Sequence, residues 1–134
     1  MPPKKRKRQK RKGRYHRGEY VSIKTGQVCK FRSGWEEKVM VHLDADPGVE
    51  LWTYEQTVIE YLSNIRTKKF RRYYPDFYVK YSDGREEIVE VKPKRKLGQI
   101  TVKKKANAAR EWCASRGIAF KIITEVELKE MGLL

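Results

Sequence analysis

The sequence predicts a mixed α/β domain built on one central sheet, preceded by a basic tail expected to be disordered. Three observations predict it. Short segments with apolar alternation crowd the stretch between residues 20 and 92. Apolar stripes of helical period appear at Trp35, Val39 and Leu43 and again at Val102, Ala106, Ala109 and Cys113. Residues 1–17 are dense in charge and almost free of aliphatic side chains, so they lack the apolar surface that would offset ordering entropy.

Residues 20–31 alternate around a Thr-Gly turn and read as a short hairpin. A helix follows, with Ser33 as its N-cap, Met40 beside the inner stripe, and Asp46-Pro47-Gly48 as its stop. Residues 49–53 and 57–62 read as short strands, and residues 70–81 and 86–92 as longer ones joined across Ser82-Asp83-Gly84. A second helix runs from about Thr101 to Arg116, with Trp112 beside its inner stripe and Gly117 closing it. Phe120 to Ile123 is a last strand, and Thr124 with Glu127 makes a capping box for a short final helix. Helix, antiparallel strands, helix, strand, helix is the order of an α/β domain over residues 18–134.

Composition narrows the partners. Of 32 basic side chains, ten lie in residues 1–17 with no acid, leaving 22 against 17 acids in the remainder. Such a tail suits a polyanion, because Lys and Arg displace the counterions condensed on a phosphate backbone. It also resembles a nuclear-import signal, and a purely solubilising tail is the bland alternative. No run of about 18 apolar residues is present, so no membrane-spanning helix is expected. A secretory apolar stretch is also missing, and the setting is expected to be cytoplasmic. Cys29, Cys113, His16 and His42 lack zinc spacing and are not expected to bind it.

The chemistry concentrates in residues 70–92. A two-residue turn would place Asp76 opposite Val91. A three-residue turn with Gly84 left-handed would pair Tyr81 with Arg85 and Asp76 with Glu90. Only the second register keeps Phe77, Val79, Val89 and Val91 on one face, leaving Asp76, Glu90 and Lys92 together on the other. Carboxylates directly across a strand pair sit roughly 4.5–5.5 Å apart at Cβ and repel unless a cation lies between them. Mg²⁺ suits that arrangement, since it takes few carboxylates and completes its octahedron with waters and phosphate oxygens. Lys92, two residues along, reaches toward a phosphate. The competing reading is a solvated strand pair balanced by Lys80 and Lys92.

Asp76 within Tyr74-Pro75-Asp76-Phe77-Tyr78, followed by Val89-Glu90-Val91-Lys92-Pro93, resembles the PD-(D/E)xK nuclease motif. Arg32-Ser33-Gly34-Trp35-Glu36 resembles the segment that supplies this superfamily's helix acid. Trp52-Thr53-Tyr54-Glu55 with Ile59-Glu60-Tyr61, and the closing residues 120–125, are similar to phage head-completion nucleases and to the TnsA-type nucleases that cut transposon ends. A proline usual in the family's central strand is Glu60 here.

The resemblance implies a restriction-endonuclease-like central mixed sheet flanked by helices, and a Mg²⁺-dependent DNA endonuclease in which Mn²⁺ substitutes. It implies Asp76, Glu90 and the Val91 carbonyl as metal ligands, Lys92 as catalytic lysine and Glu36 as helix acid, itself a candidate ligand. Ser33-x-x-Glu36 is equally a capping box. Glu55 is a candidate supporting residue.

Lys68, Lys69, Arg71 and Arg72 on one side of the motif, and Lys94, Arg95, Lys96, Lys103 and Lys104 on the other, are candidate DNA contacts, in basic clusters that also include Arg66 and Lys105. Tyr73, Tyr74 and Tyr78 are candidates for base stacking. The implied setting is phage head completion or DNA processing, in the infected host's cytoplasm or on the virion. Head or connector proteins and a second copy of the chain are candidate partners. A Holliday-junction resolvase and a non-catalytic basic nucleic-acid binder are the rival readings.

Overall fold

Residues 17–134, described by a computed structural model, follow the predicted order of elements. Apart from Arg17, the tail predicted to be disordered lies outside the described residues. Strands β1 (Gly18–Val21) and β2 (Val28–Phe31) form the first hairpin. Helix α1 (Gly34–Ala45) begins where Ser33 Oγ accepts the Glu36 N–H at 3.1 Å, and it buries Val39, Met40 and Leu43. Strand β3 (Val49–Tyr54) follows.

Among the described residues, strands β4 (Ile59–Asn64) and β5 (Lys69–Tyr73) then pair only with each other, as a separate antiparallel hairpin. Residues 70–81 are therefore not the single strand that alternation predicts. The break falls at Tyr74-Pro75-Asp76. Pro75 is fully buried, has no N–H for a ladder, and restricts the residue before it. Beyond the break the chain enters a different sheet as β6 (Phe77–Tyr81).

Strand β7 (Glu86–Val91) returns against β6 in the register that the three-residue turn predicts, with Phe77 opposite Val89. Tyr81 N–H donates to the Arg85 carbonyl at 2.8 Å, and Gly84 takes φ +92°, where a side chain is unfavourable. After a 3-10 turn at Lys94–Lys96 comes α2 (Ile100–Ala114), then β8 (Ala119–Ile123) parallel to β7. The central sheet is thus mixed, in the order β3-β6-β7-β8. The final helix α3 (Glu125–Glu130) starts on the Thr124–Glu127 capping box.

The sheet separates two apolar clusters. Trp52, Phe77, Val79, Val89 and Val91 pack with Val39, Met40 and Leu43 of α1 and with Leu128 of α3. A smaller cluster joins Ile59, Tyr61 and Tyr73 of the β4–β5 hairpin to Ala109 of α2, with Trp112 and Phe120 against it. Both cysteines are buried free thiols. No helix of the described residues is long and apolar enough to cross a membrane.

Asp44 in α1 was not singled out by the sequence, yet it ties three elements together. Its carboxylate accepts from the Tyr20 hydroxyl (2.6 Å), the Ile23 N–H (2.8 Å) and the Trp52 indole N–H (2.7 Å). Burial works to raise its pKa, but these donors outweigh burial and hold the carboxyl below its ordinary value. This contribution to stability is complete above the unfolded carboxyl's pKa and disappears as pH falls through the depressed folded value. Asp44→Ala is therefore expected to cost about 2–3 kcal/mol in urea unfolding at neutral pH, because charged-acceptor bonds are lost and the buried Trp52 N–H is stranded. The difference from wild type should shrink in acid.

Candidate active site

The β6–β7 register brings Asp76, just before β6, against Glu90 near the end of β7. Backbone N–H groups tie the two acids together. Val91 N–H donates to Asp76 Oδ2 at 2.8 Å, and Asp76 N–H donates to Glu90 Oε2 at 3.4 Å. The Tyr73 hydroxyl also donates to Glu90 Oε2. Lys92 follows on the same face, its Nζ 3.9 Å from Glu90 Oε1 and its own N–H held by the Ile123 carbonyl of β8 at 2.9 Å. Asp76, Glu90 and Lys92 thus converge as predicted.

Asp76 is only 6% exposed. Burial, then the charges of Glu90 and Glu36, push its carboxyl well above the ordinary carboxylate range. Burial raises Glu90 as well, against the lowering effect of the Tyr73 hydroxyl and the Lys92 ammonium. Tyr73 is driven upward by burial and by the neighbouring Glu90 charge, which keeps it a hydrogen-bond donor. At Asp76 the charges of Glu90 and Glu36 thus outweigh the opposing Lys92 ammonium, so the acids are held together against their mutual repulsion.

That imbalance fits a hard divalent cation. Asp76 Oδ1 and Glu90 Oε1 are the oxygens of this pair to which no protein hydrogen bond is directed among the described residues. No group of three or more acidic, His or Cys side chains converges as a metal cage among the described residues. Two carboxylates with waters and a phosphate oxygen are the usual donor set for Mg²⁺, whereas a closed cage is the habit of other ions.

The acids and Lys92 line an open cleft of about 280 Å³ together with Arg32, Glu36, Arg72, Tyr74, Val91 and Lys105. The model of the TnsA-like endonuclease N-terminal family matches residues 46–125, a span containing Asp76, Glu90 and Lys92. The head completion nuclease of Enterobacteria phage T4 is 33% identical over an alignment of 124 residues, which covers 76% of this chain and 82% of the phage protein. The chain belongs to the TnsA-like endonuclease N-terminal family. It is a nuclease, and the PD-(D/E)xK resemblance holds.

Glu36 lies outside the span that the family model matches, so its place in the nuclease rests on geometry. It is 8% exposed and borders the cleft, but protein donors engage both of its oxygens. Tyr54 hydroxyl (2.5 Å) and Arg32 N–H (3.3 Å) reach Oε1, and Ser33 hydroxyl (3.3 Å) reaches Oε2. The expected capping box is thus altered, since the side chain turns back to the Arg32 N–H. Its charge still raises both Asp76 and Glu90. Glu55 supports the site through its backbone. Its N–H donates to the Asp76 carbonyl at 3.0 Å from the left-handed region (φ +53°), while its side chain pairs with Arg32.

The predicted basic contacts divide. Arg72 lines the cleft itself, and Lys96 lines the adjoining hollow with Arg17, Arg32 and Glu36. Lys69, Arg71 and Lys104 line a separate groove. Lys94 and Arg95 sit exposed on the 3-10 turn after Lys92, Lys68 is exposed in the β4–β5 turn, and Lys103 is exposed on α2. Tyr73 is not a stacking platform, being 5% exposed and committed to Glu90, whereas Tyr74 stays exposed at the cleft.

Sequence reasoning placed Lys105 in the basic cluster beyond Lys92 without singling it out for the cleft, and it missed Arg32 as a cleft residue and Tyr54 as a partner of Glu36. Lys105 carries a usable signal, three residues from Val102 and four from Ala109, at the edge of the inner stripe of α2. It lies over the Tyr73 ring at 5.6 Å. Arg32 and Tyr54 give none, because nothing local says that they meet Glu36.

Carboxyl groups raised by folding favour the folded state in acid and lose that contribution as pH rises through their folded values. In EDTA at neutral pH, Asp76→Asn is therefore expected to melt at a higher temperature than wild type, because the amide keeps the Val91 bond and removes the repulsion. The gap should close near pH 4. A melting temperature below wild type at both pH values would contradict this electrostatic account.

Proposed function

We propose that this nuclease is a Mg²⁺-dependent endodeoxyribonuclease, also active with Mn²⁺, that processes DNA in phage head completion. The observation that supports it is the pairing of buried Asp76 with half-buried Glu90, with Lys92 alongside, at the floor of a cleft walled by Arg32, Arg72 and Lys105. In this reading Asp76, Glu90 and the Val91 carbonyl hold the metal. When bound there, the ion would supply Lewis acidity toward a phosphoryl oxygen and raise the acidity of water.

The chain's own side chains account for the rest. Arg72, Lys105 and Arg32 take up phosphate charge and set the backbone in the cleft. The Lys92 ammonium orients the attacking water and stabilises the extra negative charge as the phosphorus becomes pentacovalent. Tyr73 fixes the Glu90 carboxylate in one orientation, and Tyr54 with Ser33 fixes Glu36, whose charge sharpens the site's demand for a cation. Residues 1–17 add affinity that does not depend on sequence. A purely binding protein gains nothing from buried acids where phosphate must approach.

Supercoiled plasmid and a branched junction, each incubated with Mg²⁺ or with EDTA, test the reading. Cutting is expected only with Mg²⁺. Asp76→Ala and Glu90→Ala should abolish it, and Lys92→Ala should slow it roughly 10²–10³-fold, with DNA binding retained in all three. Cleavage that persists in EDTA or in Asp76→Ala defeats the mechanism, and preference for the junction would move the assignment toward a resolvase. Tyr73→Phe should lose about 10–100-fold in activity, since partners that orient a ligand carry effects of that size. Raising the Mg²⁺ concentration should recover part of that loss.

A further inference from the structure

A second hollow, of about 430 Å³, lies between the β4–β5 hairpin and the N-terminal half of α2. Its walls carry Lys69, Arg71 and Lys104 with the polar groups of Ser63, Asn64 and Thr101, and no acid. Glu60, the acid of β4, alternates to the other face and is not in this lining. Lys104 Nζ donates to the Ser63 carbonyl at 2.7 Å, which fixes the ammonium at the groove and leaves it two further donors. The first turn of α2 carries no acidic residue, so the positive end of the helix adds to the same field.

Two walls run from this hollow to the active cleft. On the hairpin, Lys69, Arg71 and Tyr73 follow each other at two-residue steps, and Tyr73 is the residue that holds Glu90. On the helix, Lys104 faces the groove and Lys105 the cleft. One two-residue step spans roughly 6.5–7 Å, about the axial rise of two nucleotides.

We infer that this groove is a phosphate-binding subsite that grips the backbone of one DNA strand where it leaves the active cleft. The inference rests on the nuclease reading for the identity of its ligand. A phosphodiester backbone matches three cations, Lys104 anchored among them, interleaved with hydroxyl and amide groups. Contacts of this kind position the strand and carry no sequence preference, so they act on affinity more than on the chemical step.

The test measures binding of full-length protein to a labelled duplex oligonucleotide in EDTA across a salt series, alongside plasmid cleavage in Mg²⁺. Lys69→Gln with Arg71→Gln should weaken binding roughly ten-fold at moderate salt and flatten the salt slope by about two. The turnover rate at saturating DNA should be retained. The charge-matched pair Lys38→Gln with Lys129→Gln, exposed on α1 and α3, should leave both quantities at wild-type values. A groove variant indistinguishable from that control overturns the subsite. Wild-type protein that binds with the expected slope difference but never cuts would sink the metal-centre reading and leave the groove standing.

Discussion

The three-residue turn between β6 and β7 governs this molecule, because it fixes which side chains of two adjacent strands share a face. With Gly84 in the left-handed conformation and Tyr81 bonded to Arg85, Phe77 falls opposite Val89. A slip of one residue would send one strand's apolar set to the wrong side of the sheet, so the core enforces the register strongly. The same pairing forces Asp76 against Glu90. Apolar packing on one face thus holds together two acids that repel each other on the other.

That repulsion is tolerated because the backbone around it is over-determined. Val91 N–H holds Asp76, Asp76 N–H holds Glu90, and Glu55, in an unfavourable left-handed conformation, holds the Asp76 carbonyl. Buried like charges and a strained residue cost stability, and both gather here, where a cation and a phosphate would relieve the electrostatic part. Asp44 is the opposite case. Its charge is met by the Tyr20, Ser22, Ile23 and Trp52 donors and locks β3 and the first hairpin onto α1.

The break at Pro75 has a comparable reach. It lets β5 turn away from the central sheet and pair with β4, so the hairpin stands out to face α2. Tyr73 ends β5 at that point, with its ring in the small core and its hydroxyl on Glu90. A continuous strand through residues 70–81 would have carried Arg71 and Lys69 on along the sheet, away from the wall of a groove. The sequence contains the proline, but alternation on both sides of it hides the change of partner.

By itself the sequence determined the element order, the caps at Ser33 and Thr124, and the register that unites Asp76, Glu90 and Lys92. These depend on local turn chemistry and on alternation over a few residues, which are written contiguously. Only the tertiary structure decided that Tyr73 orients Glu90, that Tyr54 and the Arg32 N–H secure Glu36, and that Lys105 faces the cleft while Lys103 does not. It also separated Arg72 in the cleft from Arg71 in the groove. Those contacts join residues up to 18 apart in hydrogen bonds that cross elements. They depend on how helices and hairpins dock, and no local pattern of charge or hydrophobicity encodes that docking.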